Sequence, residues 1–317
     1  MKKITAIVAT VLGSLVAPHA AAAATSSSSS VAYVRNGDIY VSKGGGEARL
    51  TTGGGRSRPR WSPDGRQIAY LKGGQLWVMR ADGGVARRLT TRAAAGPSWS
   101  PDGKWIAFAS LSCTGGPGVF RISPAANAQP EVLFPGDCRT EELPDEPALP
   151  AGRQTATLTE RLRTDDTVAW SPDGTKIAFR GGDCESVYDA CLSVGTVATG
   201  GEQTVAAYGG GSLQNRGFAV VPEWRSDGQR LAWTAYQEGE TAADNEPVHV
   251  VEYDPATRAK RTVGGAGDRE LAYTDSTHAL VTGQYRGRSW VLRVGLADGS
   301  RVAFREGSQP SVLAAKR

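Results

Sequence analysis

Four cysteines, one acidic run and eight tryptophans are the residues of this chain whose types could do chemistry. Cys113, Cys138, Cys184 and Cys191 could bind a metal or pair with one another. A four-cysteine zinc site normally shows two close Cys pairs, and Cys113 and Cys138 are too far apart in sequence to make one of them. Asp137, Glu141, Glu142, Asp145 and Glu146 lie within one short segment that could attract a basic partner or a divalent ion, although such runs are more often solvated linkers. The three histidines are His19, His249 and His278, too few for a multi-histidine metal or catalytic cluster. There is no G-x-S-x-G nucleophile elbow, P-loop or zincin motif, and the GGGS at 209–212 lacks the Lys that a phosphate cradle needs. Lys and Arg total 36 against 32 Asp and Glu, with no concentrated basic patch of the kind that nucleic-acid binders carry.

The elements that must position these residues come from an internal repeat. Trp61-Ser62-Pro63-Asp64-Gly65 is followed by Ile68-Ala69-Tyr70, and Trp99-Ser100-Pro101-Asp102-Gly103 by Ile106-Ala107-Phe108. Trp170-Ser171-Pro172-Asp173-Gly174 is followed by Ile177-Ala178-Phe179, and Trp224-Arg225-Ser226-Asp227-Gly228 by Leu231-Ala232-Trp233. A degenerate fifth copy runs over 273–282. Ser-Pro-Asp-Gly is turn chemistry: Pro presets φ and Gly supplies the positive φ that reverses the chain. Around the first copy the pattern predicts strands ending at Trp61, then over 67–71, 76–79 and 86–90. Four short antiparallel strands in each unit of about 40 residues is the pattern of a propeller blade. Trp61, Trp99, Trp170 and Trp224 hold one repeat position and are expected to pack between blades rather than to stack on sugars. The Asp of each turn is explained by the turn itself rather than by calcium.

This motif resembles the TolB-like β-propeller family, whose unit is also called the WD40-like or PD40 repeat, over roughly residues 31–305. The expected fold is all-β, a six-bladed β-propeller of four-stranded antiparallel blades. Blade one lies over 31–51, and the others start near Ser57, Pro97, Thr167, Ala219 and Glu270. The innermost strand missing from blade one is expected from the C-terminus, Gln309 to Ala314, closing the ring and removing open sheet edges. Six blades is also what the resemblance implies. The resemblance implies an exported protein, since the TolB member that gives the family its name is periplasmic and binds partners of an envelope complex. That partner set is not carried over here, because only a short stretch separates the leader from the first strand, where the family has a further domain.

The N-terminus carries Lys2 and Lys3, an apolar run over 4–16 and small residues over 20–24. This is the layout of a secretory signal peptide over 1–24, cleaved near Ala22 to Ala24, with a Ser-rich linker at 25–30 and a single propeller domain over 31–317. The apolar run is too short to span a bilayer, and the cysteines fit an oxidising compartment, secreted or periplasmic. The long insertions, 110–118, 135–166, 181–190 and 236–247, all fall at the end of the ring opposite the Ser-Pro-Asp-Gly turns. The expected disulfides are Cys113–Cys138 and Cys184–Cys191, with cross-pairing between adjacent loops left open. The resulting expectation is an exported, non-catalytic, monomeric scaffold. It needs no cofactor, binds no nucleic acid, and recognises a protein or cell-envelope component through its long-loop face. The alternative is a hydrolase, lyase or carbohydrate-binding propeller with its site at the mouth of the central channel. Asp165, Asp166 and Glu223, at the entrances to blades, are its candidate residues.

Overall fold

The computed structural model describes residues 29–114, 116–140, 162, 166–181, 190–208, 217–237 and 246–313. The leader, most of the acidic run and Cys184 lie outside them. Blade one contains β1 (Ser30–Arg35), β2 (Asp38–Lys43) and β3 (Gly46–Arg49). Blade two follows with β4 (Arg56–Trp61), β5 (Gln67–Lys72), β6 (Gln75–Arg80) and β7 (Arg87–Arg88). Blade three has β8 (Ala95–Trp99), β9 (Ile106–Leu111), β10 (Pro117–Ile122) and β11 (Glu131–Phe134). Blade four has β12 (Ala169–Trp170), β13 (Lys176–Arg180), β14 (Ala190–Thr196) and β15 (Glu202–Tyr208). Blade five has β16 (Gly217–Trp224), β17 (Leu231–Gln237), β18 (Glu246–Tyr253) and β19 (Lys260–Val263). Blade six has β20 (Arg269–Tyr273), β21 (His278–Tyr285), β22 (Arg288–Gly295) and β23 (Arg301–Glu306).

The last strand, β24 (Ser308–Leu313), pairs antiparallel with β1, so the expected closure is present and six four-stranded sheets result. Each innermost strand packs against those of both neighbouring blades, β24 lying between β20 and β4, and the ring is complete. Two expectations need adjustment. The fourth strand of blade two is only Arg87–Arg88, because it is an edge with solvent on its outer side. The 110–118 loop is also shorter than expected, since β9 runs to Leu111 and β10 starts at Pro117.

The Ile-Ala-aromatic triplets explain why these sequences form blades. Successive strand residues face opposite sides, so Ile68 and Tyr70 pack towards blade one while Ala69 packs towards blade three. Ile106 and Phe108 face blade two and Ala107 faces blade four. The same division holds for Ile177, Phe179 and Ala178, and for Leu231, Trp233 and Ala232. A large face meets a small one at these interfaces, and both sides of the strand are buried.

The turns behave as their composition requires. Gly65, Gly103, Gly174 and Gly228 have φ between 71° and 76°. Asp102 accepts from Ser100 Oγ at 2.6 Å and from the Lys104 N–H at 3.1 Å, and these bonds hold its carboxyl below the ordinary carboxylate range. In the degenerate copy, Asp275 takes the same role. Burial pushes its carboxyl up, but bonds from Thr277 and the His278 N–H outweigh that and hold it at about 2.

Candidate functional site

Aligning the blades on the tryptophan exposes a second register that lines the channel. The innermost strands read Arg58-Pro59-Arg60-Trp61, Gly96-Pro97-Ser98-Trp99, Thr167-Val168-Ala169-Trp170, Val221-Pro222-Glu223-Trp224, Glu270-Leu271-Ala272-Tyr273 and Gln309-Pro310-Ser311-Val312. The pairing shifts register within this tetrad in blades two, three, five and six and between β1 and β24, the mark of a β-bulge. Pro suits the bulge because it has no N–H to leave unpaired. At the first position of the tetrad, Arg58, Val221, Glu270 and Gln309 take φ between 53° and 58°, a conformation costly for a residue other than Gly. Blade three has Gly there, because a Cβ on Gly96 would stand 2.0 Å from Thr167 Cγ2 of blade four.

The bulge tier carries a buried polar network. Arg58 Nη1 of blade two donates to Glu270 Oε1 of blade six at 2.7 Å, and both residues are 5% exposed. Thr282 Oγ1 and the Gln309 N–H donate to Glu270 Oε2 at 2.6 and 3.0 Å. The Arg58 N–H donates to Gln309 Oε1 at 2.7 Å, and the Glu270 N–H donates to Thr234 Oγ1 of blade five at 2.8 Å. Burial opposes ionisation of Glu270, but Arg58, Arg269 and these hydrogen bonds outweigh it and keep the carboxyl below its ordinary value. The network joins blades five, six, one and two.

Two residues further along, the next tier is Arg60, Ser98, Ala169, Glu223, Ala272 and Ser311. The two serines are committed to the ring, accepting from the Trp170 N–H at 3.0 Å and the Trp61 N–H at 3.4 Å. Arg60 and Glu223 are the charged members. Blades two and five are opposite each other in a ring of six, and each charge acts on the other without an ion pair between them. Arg60 Nη1 reaches only two carbonyls among the described residues, Pro59 O at 3.2 Å and Pro310 O at 3.5 Å. Among the described residues, no hydrogen bond or ion pair reaches the Glu223 carboxylate. Both side chains are partly open to solvent, yet enclosed by the channel wall. Burial raises the Glu223 carboxyl above its ordinary value, with Arg60 opposing, and burial lowers the Arg60 guanidinium.

The other residues singled out from sequence lie elsewhere. Asp166 is 1% exposed and paired to Arg180, whose Nη2 donates to Asp166 Oδ2 at 2.6 Å, so its carboxylate faces the protein. Asp137 is exposed on a 3-10 turn, Gly136–Arg139. Glu141, Glu142, Asp145, Glu146 and Asp165 lie outside the described residues. Cys113 and Cys138 form a disulfide with Cα atoms 5.6 Å apart. Cys191 is also disulfide-bonded, and its expected partner, Cys184, lies outside the described residues. The 3-10 turn grips blade four: Arg139 Nη2 donates to Val197 O at 3.0 Å, and Phe134 stacks on Phe179 at 5.2 Å. A shallow hollow of about 490 Å³ between the turns of blades two and three is lined by the turn residues themselves, including Asp64, Trp99 and Asp102. Sequence reading singled out Glu223 but not Arg58, Arg60, Glu270 or Gln309. The signal was present in the tetrads before each aromatic, whose first and third positions vary while Pro and Trp recur.

No family model matches the sequence, and no curated protein matches it. Solved structures do. TolB from Acinetobacter baumannii superposes with a TM-score of 0.62 at 15% identity, covering 90% of this chain and 67% of that one. The chain has the TolB-type six-bladed propeller fold. A putative TolB from Agrobacterium tumefaciens gives 0.58 at 13% identity, covering 89% and 90% of the two chains. Oligogalacturonate lyase in complex with manganese gives 0.51 at 12% identity, covering 85% and 70%. At these identities the likeness is one of fold. Among the described residues, no three His, Cys, Asp or Glu side chains come together to hold an ion such as manganese. Among the same residues, no helix is long and apolar enough to cross a membrane.

Proposed function

We propose that the chain is exported and acts as a binding scaffold, recognising a protein or cell-envelope component with the face that carries its long connections. The observation that carries this reading is the Cys113–Cys138 disulfide, which ties the β9–β10 loop to the connection leaving the same blade. Binding groups are commonly displayed on loops held by a rigid scaffold, and here the scaffold is a closed ring. A disulfide also fits an oxidising compartment and the signal-peptide layout of residues 1–24. The acidic run from Asp137 to Glu146 leaves from this tied segment and suits a partner with a basic surface. The test is capture from an envelope extract on the immobilised mature protein, beside a variant in which 141–161 is replaced by a short Gly-Ser linker. A partner held by the intact protein and lost from the variant supports the reading. A partner held equally by both, or none held by either, overturns it.

A second reading has a specific observation behind it: the opposed, unbridged Arg60 and Glu223 in the channel. Perturbed titratable groups in a cleft mark candidate sites, and a lyase is among the solved structures of this fold. The mature protein assayed on ester, peptide and glycoside panels tests it, and turnover abolished by Glu223→Gln would establish it.

A further inference from the structure

The Arg60–Glu223 tier has a consequence for ligand chemistry that is independent of the long-loop face. A guanidinium and a carboxylate lie opposite each other on β4 and β16, at equivalent positions of blades three apart. Two charges that only had to neutralise each other inside a protein would be in contact, as Arg58 and Glu270 are one tier away at 2.7 Å. Arg60 and Glu223 are not in contact, and Glu223 has no other partner among the described residues. The remaining tier members, Ser98, Ala169, Ala272 and Ser311, are small and add no further charge to the tier. The serine hydroxyls are already engaged with main-chain N–H groups of neighbouring blades. What remains is a guanidinium and a carboxyl group on innermost strands of opposite blades, each partly reached by solvent and neither bridged to the other among the described residues. A ligand that satisfies both must present an anion at one end and a cation at the other.

We propose that this tier of the channel binds a small zwitterion, its carboxylate taken by Arg60 and its ammonium by Glu223. Arg60 suits the first task because its planar fork of donors matches a carboxylate. Glu223 offers an acceptor that no group among the described residues satisfies. Length sets the fit, since one ligand must reach from the β4 residue to the β16 residue.

The test is calorimetric titration of the purified mature protein with glycine, β-alanine, γ-aminobutyrate and 5-aminovalerate. This series lengthens the distance between the two ends one methylene at a time. Butyrate and butylamine serve as half-ligands. One member of the series is expected to bind at least tenfold more tightly than either half-ligand, and at least tenfold more weakly to Glu223→Gln and to Arg60→Gln. A series in which no zwitterion binds better than both half-ligands overturns the proposal, as does an affinity that survives both substitutions. Glu223→Gln removes a carboxylate without hydrogen-bond partners, so a folded variant, checked by circular dichroism, keeps the test valid even if Arg60→Gln does not fold. Failure of partner capture at the long-loop face bears on a different surface and leaves this outcome readable.

Discussion

Arg58 and Glu270, 212 residues apart in sequence, form a buried ion pair that encloses Gln309 of the closing strand. The pair spans from blade two to blade six, and the strand between them belongs to blade one. Gln309 is held from both sides: its N–H donates to Glu270 and its side-chain oxygen accepts from the Arg58 N–H. Ring closure therefore rests on a polar clasp as well as on the β1–β24 ladder. Removing one partner of a buried pair leaves an uncompensated charge, which costs roughly 3–5 kcal/mol. Arg58→Met is expected to lower Tm by on the order of 10 °C, and deletion of 308–317 to lower it further by leaving an unpaired edge. Thermal unfolding followed by circular dichroism checks both; an unchanged Tm for the deletion would show that β24 does not close the ring.

The clasp has a pH signature whose sign follows from Glu270. Its carboxyl is held below the ordinary value in the fold, so the unfolded chain binds its proton at higher pH than the folded protein does. The stabilisation is fully present above the unfolded value of about 4.3 and is lost as pH falls through the lowered folded value. The Tm gap between wild type and Glu270→Gln should be widest at neutral pH and narrow below about pH 4. Taking the difference between the two proteins removes the contribution of the other carboxylates. A gap that stays constant from pH 7 to pH 3 would mean that the pair does not contribute as an ion pair.

Glu223 carries the opposite sign. Burial raises its carboxyl in the fold, so the folded protein is favoured while the group is protonated, and that advantage disappears as pH rises from about 4.3 through the raised folded value. Ionising Glu223 is therefore a cost to the fold, and Glu223→Gln should keep or raise Tm at pH 7.5. Retaining a residue that works against stability is the pattern of a site shaped for binding rather than for folding. A Tm loss of several degrees in Glu223→Gln at pH 7.5 would reassign it to a structural role.

How much of this was legible in the sequence differs by level. The turns, the large-small alternation of Ile68, Ala69 and Tyr70, and the blade count are local patterns, each repeated, and local patterns survive into the fold. The closing strand was legible because a missing strand in blade one had to come from somewhere. The clasp was not, since Arg58 and Glu270 meet only after the ring has closed. Glu223 stood out as an acid at a blade entrance. Arg60 did not, because one Arg among the 28 in the chain carries no local signal until the blades are aligned. Asp166 stood out in the same way as Glu223, yet Arg180 neutralises it, and no spacing rule in the sequence separates the two cases.

Cys113 lies between β9 and β10 and Cys138 on the 3-10 turn after β11, and the bond between them closes a sequence separation of 25. Chain-entropy reasoning gives roughly 3 kcal/mol for a loop of about 15 residues and slightly more for a longer one, before any cost in the folded state. Neither Cys113 nor Cys138 belongs to a blade strand, although Cys138 is fully buried, and Cys191 is in β14. The consequence of reduction should therefore be local. The Arg139 contact to Val197 and the Phe134 stack on Phe179 tie this segment to blade four, so loosening should appear at the junction of blades three and four. Hydrogen exchange with and without reductant should show faster exchange over 112–140 and 190–201, with β1, β5 and β24 still protected. Peptide mapping under non-reducing conditions should yield Cys113–Cys138 and Cys184–Cys191 peptides. A Cys113–Cys184 or Cys138–Cys191 peptide would refute the pairing, and exchange that rises equally around the whole ring would refute the local role of the bonds.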